Sequence, residues 1–280
     1  MARSNFSATR VKPETSRLLT PHVLRRERIS EHFARVTLGG TDLVDFTHMG
    51  FDQWFRLFIP IAQDSLSRLP NKLDTLAYAR YLAISKTSRP VLRNYTVRAF
   101  RQDGTDGTGG PELDVDFVLH GNPEGELPGP AATWAQSCSP GDPVAILDEG
   151  IGFTPRPGLD RVRLVADESG LPAVAGILAS LPEDTLGEAI IEVPADDDRQ
   201  ELRKPPGVDV TWVVRTDPSA TPGQAALAAA VEHDEPGEPC YRWVVGEQSL
   251  PTSLRRHWVR AGVPKEDIMF CGYWRAGRGH

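Results

Sequence analysis

The stretch RPVLRNYTVRAF, Arg89 to Phe100, places an arginine and a tyrosine two residues apart in a segment that is typical of a β-strand. A strand alternates its faces and rises by about 3.3 Å per residue, so Arg93 and Tyr95 share one face, roughly 7 Å apart. The segment therefore predicts a strand that presents a cation and an aromatic ring side by side.

Working outward, the first half of the chain contains short apolar segments that are bounded by turn residues. At 280 residues the chain exceeds a single core of about 100 to 150 residues, which favours two domains. Several short strands at this spacing indicate an antiparallel barrel. In ELDVDFVLH the alternation of apolar and polar residues predicts a strand with one buried face. The strand segments are FARVTL, WFRLFIP, RNYTVRAF, ELDVDFVLHG and DPVAIL.

After FTPRPGLD, which contains Pro and Gly and is the best candidate for a domain boundary, strands alternate with helices. This alternation predicts a parallel sheet covered on both faces, and such sheets bind ligands beyond the carboxyl ends of their strands. The predicted strands are RVRLVAD, EAIIEVP, DVTWVVR, YRWVVGE and DIMFCGYW, and the predicted helices are ESGLPAVAGILASL, GQAALAAAVEH and LPTSLRRHWVRAG.

Composition and charge exclude several classes of protein. A formal charge of −7 argues against a nucleic-acid partner, which would need clustered Lys and Arg. The N-terminus lacks the apolar run of a signal peptide, and no segment is apolar enough to insert into a membrane, so we expect a cytoplasmic location. The three cysteines are expected to be reduced, the scattered histidines predict no metal site, and we expect a monomer.

Five motifs, in this order, resemble the siderophore-interacting proteins, which are flavin-dependent ferric-siderophore reductases of the ferredoxin-reductase superfamily. They are RPVLRNYTVRAF, ELDVDFVLHG, GPAATWA, ADESGLPAV and GYWRAG. The resemblance runs from about Val23 to Gly277. It implies a six-stranded antiparallel β-barrel that holds FAD, residues 15–157, followed by an α/β parallel-sheet domain that accepts NADH or NADPH, residues 158–280.

The resemblance implies that the first motif contacts the flavin. Arg93 would give the pyrophosphate a bidentate, charge-assisted contact, and Tyr95 would lie against the isoalloxazine. Thr96 would approach the N5 edge of the flavin, although alternation turns its side chain away from Tyr95 and makes its backbone N–H the alternative contact. The plain alternative is a strand with a solvated arginine and a core tyrosine.

The second flavin contact is a predicted helix at GPAATWAQS, with Pro130 at an early position where its missing N–H costs nothing. A helix start offers free N–H groups and a positive dipole end to an anion. His120 has a plain alternative as a surface residue. The resemblance assigns catalytic roles to Tyr95 and Thr96, and FAD binding to Arg93, Asn94, Tyr95, Thr96, Val118, His120, Gly121, Ala131, Ala132 and Thr133.

Three strand ends in the second half carry residues that suit a nicotinamide nucleotide, and the aromatic pair Tyr273 and Trp274 at the last of them could cover the flavin ring instead. Neither G-x-G-x-x-G nor a P-loop is present. A helix cap is the alternative for Asp167 or Ser169, and a core position is the alternative for the two aromatic residues. Gly170 stands where the family more often has alanine. The nucleotide-binding residues implied are Asp167, Glu168, Ser169, Gly246, Glu247, Tyr273 and Trp274.

The choice between NADH and NADPH stays open at PADDDRQELRK, residues 194–204. The three aspartates Asp196 to Asp198 would repel a 2′-phosphate, whereas Arg199, Arg203 and Lys204 would attract it. Ferredoxin is a further possible electron donor.

The substrate implied is a ferric siderophore, whose iron arrives already wrapped in oxygen ligands. The resemblance points to Arg56 and Arg275 as its contacts, with ordinary surface arginines as the alternative. LDEGIGF departs from the Gly/Pro-rich turn usual between the two domains. The expected reaction is reduction of siderophore-bound Fe(III) to Fe(II) in the cytoplasm. Another NAD(P)H-flavin oxidoreductase or a non-catalytic siderophore-binding protein are the alternatives.

Overall fold

The computed structural model describes residues 5, 10–14, 16–62, 64–70, 75–105, 107, 109–119, 129–234 and 238–277. Contacts divide the chain into two compact units. We call Lys12–Met49 with Gln53–Gly150 the β unit, and Met1–Val11 with Gly50–Asp52 and Ile151–His280 the α/β unit. The main division falls between Gly150 and Ile151, near the predicted boundary between residues 157 and 158.

The β unit contains two four-stranded antiparallel sheets, in the orders β1-β8-β4-β5 and β2-β3-β7-β6. The chain passes from one sheet to the other after β5, where the amide of Val97 donates to Gln53 and the amide of Arg98 donates to Asp114. The elements are β1 (Leu18–Leu19), β2 (His22–Arg28), β3 (Phe33–Gly39), β4 (Trp54–Ile59), α1 (Thr75–Ala83), β5 (Val91–Thr96), β6 (Ala99–Arg101), β7 (Glu112–Val118), α2 (Pro130–Ser137) and β8 (Ala145–Gly150).

The antiparallel character of this unit is as the sequence predicts, but a barrel of six strands is not confirmed. The described residues form eight strands here, of which β1 and β6 have only two and three residues. Strands of two or three residues are too short to show a recognisable alternation of apolar and polar residues in the sequence.

The prediction that β7 has one buried face is wrong. Glu112, Asp114 and Asp116 are buried, like the apolar residues between them. Arg101 donates to Asp114 at 2.7 Å and to Glu112 at 2.9 Å, and Arg35 donates to Asp116 at 2.6 Å. Arginine side chains from neighbouring strands thus cover the polar face, because β7 lies between β3 and β6 and its carboxylates are paired.

The α/β unit is built on a five-stranded parallel sheet in the order β11-β10-β9-β12-β13. Its strands and helices occur where the sequence predicts them. Helices α4 and α5 cover one face through a core that includes Leu254 and Trp258. The elements are β9 (Arg161–Ala166), α3 (Leu171–Ser180), β10 (Leu186–Val193), β11 (Val208–Val214), α4 (Gln224–Glu232), β12 (Tyr241–Glu247), α5 (Ser249–Arg260) and β13 (Ile268–Trp274).

The order of the strands reverses between β9 and β12, because the chain first extends the sheet through β10 and β11 and then returns to the other side of β9. In open α/β sheets such a switch point is where ligands bind. None of the helices in the described ranges combines the length and the apolar composition of a membrane span.

Candidate functional site

Arg93 lies on β5, opposite Leu57 of β4, and is partly buried. Its guanidinium donates to the carbonyl of Leu92 at 2.7 Å. It makes no ion pair with any carboxylate of the described residues. A partly buried cation without an anion of its own is suited to a phosphate ligand, because arginine binds phosphate in a bidentate fashion.

Tyr95 joins β5 to the helix α2 through an aromatic chain. Its ring centroid is 4.4 Å from that of Phe117 on β7, and Phe117 is 5.7 Å from Trp134 on α2. Burial raises the pKa of the Tyr95 hydroxyl well above its usual value, which keeps the phenol neutral at physiological pH. These contacts connect the ring to the middle of α2, and its hydroxyl makes no hydrogen bond within the described part of the chain.

Thr96 presents its backbone rather than its side chain to the open edge of the sheet. Its side chain is buried, opposite Trp54. Since Val97 donates to Gln53, the alternation of an antiparallel ladder makes Tyr95 and Phe55 the next hydrogen-bonded pair and turns the Thr96 amide away from β4. As β5 is the edge strand of its sheet, this arrangement favours the amide as the contact over the hydroxyl.

The start of α2 supplies free backbone donors. Pro130 is the first helical residue after Gly129, which makes no side-chain cap. The first intrahelical bond runs from the Thr133 amide to the Gly129 carbonyl at 3.0 Å. The amides of Ala131 and Ala132 have no acceptor within the described ranges, so this helix start can receive an anion.

The remaining residues assigned to FAD are less informative. Asn94 is exposed, and Val118 is half-buried at the end of β7 opposite Phe33. His120 and Gly121 lie outside the described residues. Together, the cation on β5, the aromatic chain and the helix start of the β unit fit a cofactor with a pyrophosphate and a flat ring system.

Arg56, the predicted siderophore contact on β4, forms an ion pair with Glu149, with Nε and Oε1 2.6 Å apart. Glu149 is buried and belongs to the LDEG segment that departs from the family pattern. Arg56 therefore contributes little net charge to this surface. Sequence spacing could not reveal the pair, because a register shift in the pairing of β4 with β8 brings Glu149 to Arg56.

Next to Glu149, the carboxylate of Asp148 is buried, and this burial raises its pKa to about 6, although Gly150 and Gln53 donate hydrogen bonds to it. The folded protein therefore keeps the Asp148 proton between about pH 4 and pH 6, where the unfolded chain has lost it.

We expect the free energy of unfolding to fall by up to about 3 kcal/mol from pH 4 to pH 6 because of this group, and to fall less in Asp148→Asn. Urea unfolding of both proteins across this pH range measures the difference. If the free energy of unfolding falls equally with pH in both proteins, Asp148 is not the group that titrates.

In the α/β unit, Asp167 lies at the centre of the predicted nucleotide-binding residues. Its carboxylate accepts hydrogen bonds from the amide of Ser169 at 2.9 Å, the amide of Glu247 at 2.6 Å and Nε1 of Trp274 at 3.2 Å. Residues from the ends of three strands thus meet at the switch point. Asp167 is fully buried, so it caps the following helical turn and organises the site rather than presenting its carboxylate to a ligand.

Two glycines allow this close packing. A Cβ on Gly246, whose φ is +136°, would lie 2.7 Å from Cγ of Asp167. A Cβ on Gly170 would lie 2.5 Å from Cγ2 of Val245, which explains why alanine does not fit here. Gly246, the glycine of VVGEQS, therefore leaves room for the side chain of Asp167.

Glu168 and Glu247 are also turned inward. Glu168 is buried in an ion pair with Arg215 at 2.6 Å, and Arg215 also pairs with Glu192 at 2.8 Å. Burial, followed by the charge of Asp167, raises the pKa of Glu168, and the charge of Arg215 opposes this shift. Glu247 accepts hydrogen bonds from the amide and hydroxyl of Ser249, so it caps α5. Arg215 and Glu192 both stand at strand ends, but no sequence motif marks them as part of this site.

The terminal motif is more accessible. Tyr273 is 36% exposed, and Trp274 is half-buried with its indole N–H bound to Asp167. Arg275 is exposed and forms no ion pair with another described residue. The half-exposed Ser169, the backbone at Gly246 and the aromatic pair are therefore the groups that a nucleotide can contact.

Comparisons with known proteins agree with this organisation. Residues 22–151 match the family profile described as siderophore-interacting FAD-binding domain, and residues 159–277 match the one described as siderophore-interacting protein.

Two curated relatives and one solved structure are similar over most of their length. The ferric vibriobactin reductase of Vibrio cholerae is 28% identical over 91% of this chain and 88% of its own. An NADPH-dependent ferric-chelate reductase of Escherichia coli is 26% identical over 91% of each chain. The crystal structure of a siderophore utilization protein from T. fusca superposes with a TM-score of 0.73 at 28% identity, covering 96% of this chain and 97% of that one.

Proposed function

Because the chain belongs to the siderophore-interacting protein family, we propose that it reduces the iron of ferric siderophores with FAD as its cofactor. The observation that carries this proposal is the arrangement in the β unit. Arg93, without a carboxylate partner among the described residues, shares a strand with Tyr95, whose ring packs through Phe117 against Trp134 of α2. The ferric reductases among its relatives support the same activity.

In this proposal, each group of the β unit has one task. Arg93 and the amides of Ala131 and Ala132 hold the pyrophosphate by charge and by backbone donors. The ring of Tyr95 orients the isoalloxazine, and the amide of Thr96 donates to its N5 edge. Bound FAD supplies the ability to accept a hydride and to release electrons one at a time.

The α/β unit is proposed to bind NADH or NADPH at its switch point. Ser169, the backbone at Gly246 and the rings of Tyr273 and Trp274 contact the nucleotide. Asp167 and Glu247 position these groups from within, and Glu168 is held by Arg215. Ferredoxin is the alternative donor, and reduction of the flavin by a nicotinamide nucleotide under nitrogen distinguishes the two.

Iron is the substrate of the reaction and not a resident cofactor. The iron of each ferric siderophore takes up one electron and becomes Fe(II). Anionic oxygen ligands hold Fe(II) less tightly than Fe(III), so the metal is released. We propose that this happens in the cytoplasm, a location supported by the three free thiols.

Siderophore recognition is proposed to involve Arg56 and Arg275. Because Glu149 neutralises Arg56, we expect Glu149→Gln to lower the KM for a trianionic ferric catecholate by about fivefold and to change little for a neutral ferric hydroxamate. Steady-state kinetics with both complexes measures the effect. Asp103→Asn, an exposed change of the same charge in the same unit, is the control. A uniform change for both complexes would contradict a role for charge at Arg56.

The test of the activity is reduction of ferric siderophores by the FAD-loaded protein, followed with a ferrous-specific chelator. Electron transfer confined to quinones would support a different flavin oxidoreductase. Protein that stays colourless after incubation with FAD but binds the siderophore would support a non-catalytic binding protein.

A further inference from the structure

We infer that the nucleotide site of the α/β unit selects NADH over NADPH, an inference that rests on the proposed function. The two nucleotides differ only in the 2′-phosphate of the adenosine ribose. In sheets of this class, an acidic residue beyond an early strand accepts from the ribose hydroxyl of NADH, whereas an arginine nearby accommodates the phosphate of NADPH. The charges at the carboxyl ends of β10 and β11 therefore decide the preference.

These two strand ends lie next to each other. Val193, the last residue of β10, pairs with Val214, the last of β11, and the amide of Arg215 donates to the carbonyl of Val193 at 2.9 Å. Six acidic residues stand at or shortly after the carboxyl ends of β9, β10 and β11. They are Glu168, Glu192, Asp196, Asp197, Asp198 and Asp217.

Arg215, the arginine at these strand ends, already has two carboxylate partners. The guanidinium of Arg215 pairs with Glu168 at 2.6 Å and with Glu192 at 2.8 Å, and its side chain is 8% exposed. The carboxylate of Glu192 is fixed in turn, because it also accepts from the amide of Ala226 at 2.9 Å. A 2′-phosphate would have to displace one of two buried carboxylates, which would then be left without a partner.

The other candidate cations do not replace it. Arg199 is exposed and pairs with Asp196 at 2.7 Å, next to two further aspartates. Lys204 binds the carbonyl of Val208, the first residue of β11, at 2.5 Å. In a parallel sheet that residue lies at the opposite, amino-terminal end of the strands. Arg203 lines the same cavity as Lys204, beside Leu181 and Glu183, which precede β10. The expectation that Arg203 and Lys204 attract the phosphate is therefore wrong for this fold.

Asp196 and Asp197 are the exposed members of the acidic group. They follow β10 after Pro194 and Ala195, at a position where a carboxylate accepts hydrogen bonds from ribose hydroxyls and repels a phosphate dianion. Replacing both with serine removes two negative charges and releases Arg199 from its ion pair. This double variant tests the inference without altering the buried pairs of Arg215.

The experiment compares binding of ADP-ribose and 2′-phospho-ADP-ribose to the FAD-loaded protein by calorimetry. Both probes lack the nicotinamide ring, so no flavin reaction interferes. We expect ADP-ribose to bind at least about tenfold more tightly, and Asp196→Ser with Asp197→Ser to remove most of that difference. Glu183→Gln with Asp184→Asn, the same charge change at exposed positions preceding β10, should preserve it.

Equal or tighter binding of the 2′-phosphorylated probe would overturn the inference while leaving the nicotinamide nucleotide as donor. Binding of neither probe, together with no bleaching of the flavin by NADH or NADPH, would overturn it along with the proposed donor. Unchanged discrimination in the double aspartate variant would also overturn it, since the selectivity would then have another origin.

Discussion

Replacing Arg93 with methionine is expected to weaken FAD binding by about a hundredfold, so that the protein is purified without its yellow colour. Methionine retains the apolar stem but removes the cation that has no carboxylate partner in the described part of the chain. Arg93→Lys should weaken FAD binding by about tenfold, because lysine keeps the charge but not the bidentate geometry. Fluorescence titration with FAD measures both dissociation constants.

Arg80→Met is the matched control, because Arg80 is an exposed arginine of the same unit at the end of α1. Thermal unfolding of the apoproteins shows whether Arg93→Met remains folded. Normal FAD affinity in a folded Arg93→Met protein would exclude Arg93 as the pyrophosphate contact.

Introducing a carboxylate at the start of α2 is expected to weaken FAD binding without lowering the stability of the protein. Thr133 is exposed in the first turn of this helix. Thr133→Asp should leave the unfolding temperature unchanged or slightly higher, because negative charge near a helix N-terminus is favourable. The same charge should repel the pyrophosphate and weaken FAD binding by about ten- to a hundredfold.

Thr133→Asn is the control, since it has nearly the shape of aspartate without its charge. We expect it to bind FAD with close to the original affinity. Equal affinities for the aspartate and asparagine variants would show that the cofactor does not approach this helix start.

The sequence predicts the α/β unit well, because each of its strands and helices carries its own local pattern. Leu171, Val174 and Leu178 repeat with helical spacing, and the helix α3 begins at Leu171. The β unit is less predictable. The burial of Asp114 and Asp116 depends on arginines from other strands, and no local pattern records a partner that is distant in the chain.

The candidate site shows the same division. Strand-end motifs identify which residues meet, and the structure does bring Asp167, Glu247 and Trp274 together. The motifs do not reveal which side chains are buried and bonded to other protein groups. Asp167 and Glu247 accept hydrogen bonds from backbone amides. No local pattern marks Arg215, because its two carboxylate partners, Glu168 and Glu192, are distant in the chain.

The same limit applies to charge. Arg56 and Arg199 are cations in the sequence, but each is paired with a carboxylate in the structure. Substrate and cofactor preferences therefore depend on pairs that only the fold defines, and this is why both of these preferences are tested through the carboxylate partner.

The most direct test of the central claim is a titration of the FAD-loaded protein under nitrogen. NADH should bleach the yellow colour, and a ferric siderophore should then restore it with release of about two ferrous ions per flavin. A protein that binds no FAD, or a reduced flavin that stays bleached in the presence of ferric siderophore, would contradict the account.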